Sequence, residues 1–202
     1  MKINIRRGAT QIGGSAVELT ANNGERIVLD IGLPLDAEKN TADLLPDIKG
    51  LTSKTPDLLG IFISHAHQDH FALGKHIDPT IPVYTGKATD AILKASAEYI
   101  NKAKDAGVPF ELPEMFAFKD ARIVDGFKKY NVGAFTIMPY PVDHAAYESM
   151  AFLIEADGKR IFYSGDFRNH GRTKNRTEHL IANPPKDIDV LLMEGSSIQR
   201  LN

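Results

Sequence analysis

The 202 residues contain no cysteine. That absence excludes disulfides, thiolate metal sites and a cysteine nucleophile, and it leaves the redox compartment open. No apolar run approaches the ~20 residues of a membrane span. The N-terminal stretch "MKINIRRGATQIGG" lacks the apolar segment of a secretory signal. Charge of either sign is close to balanced, with a net charge of −2, so no overall basic field points to nucleic acid or an anionic membrane. Low-complexity segments, internal repeats and linkers are also missing. The remainder is ordinary for a globular protein: 43% hydrophobic and 25% charged residues are enough to bury a core. One domain over residues 1–202 of a cytoplasmic protein is the expectation.

Local patterns alternate between strands and a few helices. "KINIRRG" alternates polar and apolar residues, and "SAVELT" and "ERIVLD" flank the hairpin turn "ANNG". "DLLGIFIS" reads as a buried strand, and "PVYTG", "AFTIMPYPV" and "DIDVLLMEG" as further strands. "SMAFLIEADGKRIFYSGD" holds a second hairpin. "KATDAILKASAEYINKAKDAG" is the best helix, with Ile92, Leu93, Ala95, Ala97 and Ile100 expected on one face and Gly107 as its stop. Two hairpins among strands and helices argue for an α/β fold with mixed sheets.

The densest chemistry follows "DLLGIFIS". "HAHQDH" supplies His65, His67, Asp69 and His70 within six residues. Imidazole and carboxylate are ligands for zinc, iron or manganese. In an extended chain His65 and His67 project from one face, because side chains alternate. A turn into a helix after His67 would bring Asp69 and His70 to the same pocket from another direction, a spacing that suits two neighbouring cations better than one. Asp30, His144 and Asp166 each follow an apolar strand, in "ERIVLDIG", "MPYPVDHAAYES" and "RIFYSGDFR". Strand ends are where open α/β sheets place their sites.

These residues carry a resemblance. H-x-H-x-D-H at His65, His67, Asp69 and His70, with His144 and Asp166 downstream, resembles the signature of the metallo-β-lactamase superfamily of hydrolases. The resemblance runs from "GGSAVEL" to "LLMEGSS" and implies a four-layer αββα sandwich. It implies metal ligands at His65, His67, Asp69, His70, His144 and Asp166. It also implies two divalent metals, Zn2+ in the first place with Mn2+ or Fe as alternatives, bridged by Asp166 and a hydroxide. Asp69 would accept a hydrogen bond from the attacking water. Asp30 matches the family's first acidic motif, whose role is to orient a ligand histidine from behind.

Within the superfamily, the missing cysteine departs from the lactamases, and Gln68 departs from the flavo-diiron oxygen reductases. "YSGDFR" and "LLMEGSS" look most like the β-CASP nucleases, which include ribonuclease J and the polyadenylation endonuclease, with Glu194 at the position of a motif acid. Only eight residues follow Glu194, so the inserted domain and the histidine that follows it in that branch have no counterpart. The chain is then expected to be the N-terminal portion of a longer enzyme or a short relative, with a weaker second metal position and little activity by itself.

The functional expectation is a metal-dependent phosphodiesterase acting on RNA or single-stranded DNA. The alternatives are hydrolysis of a small ester, thioester or lactone, and a non-catalytic metal-binding fragment. Arg168, Arg172, Lys174 and Arg176 form the one local basic patch that favours nucleic acid, though it reads equally well as a solvated loop or helix start. The aromatics next to it, Tyr163 and Phe167, are expected in the core, and His170 and His179 on the surface.

Overall fold

The computed structural model describes residues 1–107 and 115–196. Its elements run β1 (Lys2–Arg7), β2 (Ala16–Thr20), β3 (Arg26–Leu29), β4 (Leu58–Phe62), α1 (Gln68–Phe71), β5 (Val83–Thr85), α2 (Lys87–Asp105), β6 (Arg122–Ile123), β7 (Tyr130–Val132), β8 (Phe135–Pro141), β9 (Met150–Ala156), β10 (Lys159–Tyr163), α3 (Lys174–Ala182) and β11 (Val190–Leu192). A 3-10 turn over Ala72–His76 continues from α1. The last residue of the quoted "LLMEGSS", Ser197, lies outside the described residues.

Two sheets form. The first has the order β1-β2-β3-β4-β5-β6 and the second β11-β10-β9-β8-β7. In the first, β1, β2 and β3 pair antiparallel, and β3 through β6 pair parallel. In the second, β7 through β10 pair antiparallel, and β11 joins β10 in parallel. Strand alternation sorts side chains into layers. Ile27 and Leu29 of β3 and Phe62 of β4 face Phe135, Ile137, Phe152, Ile154 and Tyr163 of the second sheet. Val28 and Ile61 face the other way, packing with Leu93 of α2. On the far side, Leu180 of α3 covers Tyr140, Val142, Leu153 and Phe162. The layers are therefore helix, sheet, sheet, helix, the expected αββα sandwich.

The hairpins occur where "ANNG" and "EADGKR" place them. Helix α2 starts and stops as read, with Gly107 at φ 69° after its end. Its buried stripe is Thr89, Leu93, Ala97 and Ile100. Ile92 and Ala95 are exposed, a correction to the expected face. Each is offset around the helix from a stripe spaced by three and four residues, and so turns away from the packed face. The short strands β6 and β7 lacked a readable pattern, being two and three residues long and not fully buried.

A charged group is also buried at the outer face of the first sheet. Arg26, 7% exposed, reaches Glu18 at 2.7 Å and Asp57 at 2.7 Å. Its hydrogen bond holds the Asp57 carboxyl down at about 2.

Candidate metal centre

The site assembles where strands from both sheets end on one edge. β3 and β4 are parallel neighbours, so the residues after them, Asp30 and Ser64–His65, emerge side by side. β8 and β10 both run antiparallel to β9 and hence in the same direction, delivering His144 and Asp166 to one edge. His67 is extended at the N-cap of α1, and this single turn carries Asp69 and His70. The backbone of residues 30–33 is laced to the same turn: Ile31 N–H donates to His70 O at 2.8 Å and Leu33 N–H to Gln68 O at 3.0 Å. Gly32 is required there, because a Cβ would lie 1.6 Å from Asp69 O.

Three imidazoles converge. His67 Nδ1 lies 3.1 Å from His65 Nε2 and 3.1 Å from His144 Nε2. Four ligands at the ~2.0–2.1 Å of a tetrahedral Zn–N site would stand about 3.3 Å apart, so this triangle fits a cation. A second group forms from His65, His70 and Asp166, with ligand atoms within 4.8 Å of one another. Asp166 lies between the two groups: its Oδ1 is 3.3 Å from His70 Nε2 and its Oδ2 3.7 Å from His144 Nε2. Asp69 Oδ2 stands farther off, 3.8 Å from His70 Nε2.

Behind the cluster sits Asp30, fully buried at φ 57°. Its carboxylate accepts from Ser64 N–H (2.7 Å), Ser64 Oγ–H (2.8 Å), Tyr163 O–H (2.7 Å) and His70 Nδ1–H (2.8 Å). Because Ser64 Oγ gives its proton to Asp30, it accepts from His65 Nδ1 at 2.9 Å. That fixes the proton of His65 on Nδ1 and leaves the Nε2 lone pair facing the cluster.

The electrostatics divide along the same line. Burial pushes His65 well below the ordinary histidine range, and the imidazoles of His70, His67 and His144 add to the effect. Burial also lowers His67 and His144. All three are thus neutral near pH 7, the form that ligates. Burial works against charge on His70 too, but Asp30 and Asp166 outweigh it and raise it to about 10. For Asp166, burial is outweighed by His70, and its pKa falls below the usual carboxylate value. A cation at His70 Nε2 would have to displace that proton.

Asp69, His70, Asp166 and Glu194 line one side of an open cleft of about 670 Å³, walled on the other by residues 8–13. Glu194 follows β11, donates its N–H to Ser164 Oγ at 3.0 Å and accepts from Ser196 Oγ at 2.7 Å. Two members of the basic patch are engaged by carboxylates of this chain. Arg168 Nε lies 3.4 Å from buried Asp143, and Lys174 3.3 Å from Glu178. Arg172 is exposed, and Arg176 lies over the ring of Tyr147. His170 and His179 are exposed, Tyr163 is buried, and Phe167 is half-buried against the outer core cluster.

Several supporting residues escaped the sequence reading. Ser64 and Tyr163 are the donors to Asp30 described above. Asp143 is fully buried, accepting from Gly171 N–H (2.6 Å) and Thr173 Oγ–H (2.7 Å), while its own N–H donates to Thr177 of α3 (2.9 Å). Glu148, at φ 64°, accepts from Ala88 N–H at the start of α2 and so ties the His144 loop to that helix. Their common signal is a polar residue beside a ligand-type residue at a strand end, and that does not distinguish a buried acceptor from a solvated turn.

Comparison with known proteins agrees with this geometry. Ribonuclease J of Sinorhizobium meliloti is 30% identical over 146 residues, covering 70% of this chain and 24% of its own length. Endoribonuclease YSH1 of Gibberella zeae is 26% identical over 205 residues, covering 94% of this chain and 23% of its own. The chain thus spans about a quarter of these curated relatives. A crystal structure of a protein of unknown function from Enterococcus faecalis superimposes with a TM-score of 0.77 at 26% identity, over 99% of this chain and 51% of that one. The profile of the beta-lactamase superfamily domain matches residues 26–201. On that match, with the sandwich and the clustered histidines in agreement, the chain belongs to the metallo-β-lactamase superfamily.

Proposed function

We propose that residues 1–202 are one domain of a metal-dependent phosphodiesterase that cleaves RNA or single-stranded DNA. Asp166 carries the reading. It turns one carboxylate oxygen toward His70 and the other toward His144, as a group shared between two cation positions would. The first position is His65, His67 and His144, and the second is His70, Asp166 and Asp69, with His65 alongside. Zn2+ suits the imidazole-rich first position best, and Mn2+ or Fe suits the carboxylate-rich second. When bound, such cations supply an acidified water and neutralise charge building on the phosphoryl oxygens.

The chain's own groups do the positioning. Asp30 and Ser64 fix the rings of His70 and His65. Asp69, about one-fifth exposed at the cleft, is placed to accept a proton from an entering water. The cleft is open rather than a closed apolar pocket, which favours an extended polymer over a small ester. The nuclease names of the relatives support the same choice. Among the described residues no helix is long and apolar enough to cross a membrane, and a cytoplasmic location is part of the proposal.

The test is cleavage of labelled single-stranded RNA and DNA by metal-stripped protein titrated with Zn2+ or Mn2+. Cleavage should require metal and weaken with salt. Hydrolysis of a thioester or lactone with no phosphodiester cleavage would overturn the reading.

A further inference from the structure

Beside the metal centre, along α3, aromatic and basic side chains that are far apart in sequence come together. Tyr147 lies three residues beyond His144 and is 57% exposed, although the Arg176 guanidinium stands 5.1 Å from its ring centroid. His179, on the same face of α3 and one turn further on, packs edge-to-face against Phe127 at 5.5 Å. Phe127 is 51% exposed and sits at φ 61°, a conformation uncommon for any non-glycine residue and an outlier for a bulky one. Its N–H bond to Pro139 O at 2.8 Å and its edge contact with Tyr140 at 5.4 Å hold it there. Beside Phe127 and reaching Arg176 lies a depression of about 330 Å³, lined by Phe127, Pro141, Asn175, Arg176 and His179.

We infer that this strip is a track for two consecutive bases of a single-stranded nucleic acid leaving the metal centre, with Tyr147 and Phe127 as stacking platforms and Arg176 as a phosphate contact. The inference rests on the nuclease reading and gives its site a strand path. Phe127 combines backbone strain with a half-exposed ring, and strain of this kind concentrates at functional positions. Aromatic faces interleaved with cations bind single strands, because every base offers a π-face and every phosphate a charge. The spacing agrees. The two aromatics pair with residues one helical turn apart, ~5 Å, against ~3.4 Å per nucleotide within a duplex strand, so their helix partners follow one another on the scale of successive nucleotides. The strip is also fixed relative to the centre: Thr177, between Arg176 and His179 in α3, accepts from the N–H of Asp143, the residue before His144. Arg172 is exposed nearby and extends the positive field.

The test is equilibrium binding of the full chain to a phosphorothioate single-stranded oligonucleotide carrying 2-aminopurine. Binding should quench the fluorophore. Y147A and F127A should each weaken binding about 5-fold or more, and Y147F and Y147W should retain it. R176A should lower the log–log salt slope by about 0.7. Y99A, which removes an exposed aromatic on α2, should change nothing. Unchanged affinity in the Y147A/F127A double variant, with its thermal midpoint intact, overturns the track. Tyr147-dependent quenching by a chain that hydrolyses a thioester or lactone and no phosphodiester overturns the nuclease reading and leaves the track standing. Cleavage whose KM ignores Y147A does the reverse.

Discussion

The two sides of the histidine cluster are built differently. On the inner side, Asp30, Ser64, Tyr163 and His70 are closed off from solvent, and the carboxylate of Asp30 meets four donors. On the outer side, His67, His144, Asp69 and Asp166 are half-open, and the ring nitrogens of His67 and His144 face one another at 3.1 Å. The inner side is a polar network whose acceptor, Asp30, is satisfied by donors of this chain alone. The outer side, on the proposed ligand set, is a group of lone pairs that binding a cation would complete.

Asp30→Ala should test that contrast with the largest effect. It removes the partner of a buried charged imidazole, and loss of one member of a buried pair costs about 3–5 kcal/mol. Urea unfolding of the metal-free protein measures it, and a loss under 1 kcal/mol would mean that the network carries no structural role. His67→Ala should show the opposite profile. Metal-free stability should move by only about 0.5 kcal/mol, while metal affinity falls by more than 100-fold, beyond the 10–100-fold typical of groups behind a ligand. Competition with a chromophoric chelator reads the affinity, and an unchanged value would remove His67 from the ligand set.

Asp30→Asn lies between these two. The amide keeps shape and some hydrogen bonds but cannot neutralise His70, so metal affinity should fall about 10–100-fold. The smallest effect belongs to a pair remote from the site. Asp57 is held at about 2 by Arg26, below its unfolded value of ~3.9. A depressed acid stabilises the fold above its unfolded pKa, and that contribution disappears as pH falls through its folded pKa. Asp57→Asn should therefore flatten the acid limb of a stability curve between about pH 4 and pH 2. A limb identical to that of the parent chain would show that solvent screens the pair.

The outer side of the cluster could be read from sequence, while most of the inner side could not. His65, His67, Asp69 and His70 announce themselves by density, and His144 and Asp166 by their place after apolar strands. Strand periodicity and hairpin turns are local signals, so most of the sandwich could be read as well. Ser64 and Tyr163 gave no such signal, because serine and tyrosine at the end of an apolar strand suit many roles, and only the meeting of β3, β4 and β10 makes them donors to one acid. Ile92 and Ala95 were misplaced because apolar residues next to the buried stripe were counted with it, although they lie at other angles around the helix. Tyr147 and Phe127 stayed hidden because each meets its partner on α3 only in the folded chain.

His65 and His67 hang from the first sheet, and His144 and Asp166 from the second. The edges of the imidazole triangle are therefore a gauge of the distance between the sheets. Any change in interlayer packing, even at Phe152 in the middle of the shared core, alters that distance and with it the fit of a cation. On the proposed ligand set, metal affinity reports on the spacing of the two sheets, so a substitution far from the site should register there without disturbing a hydrogen bond at it.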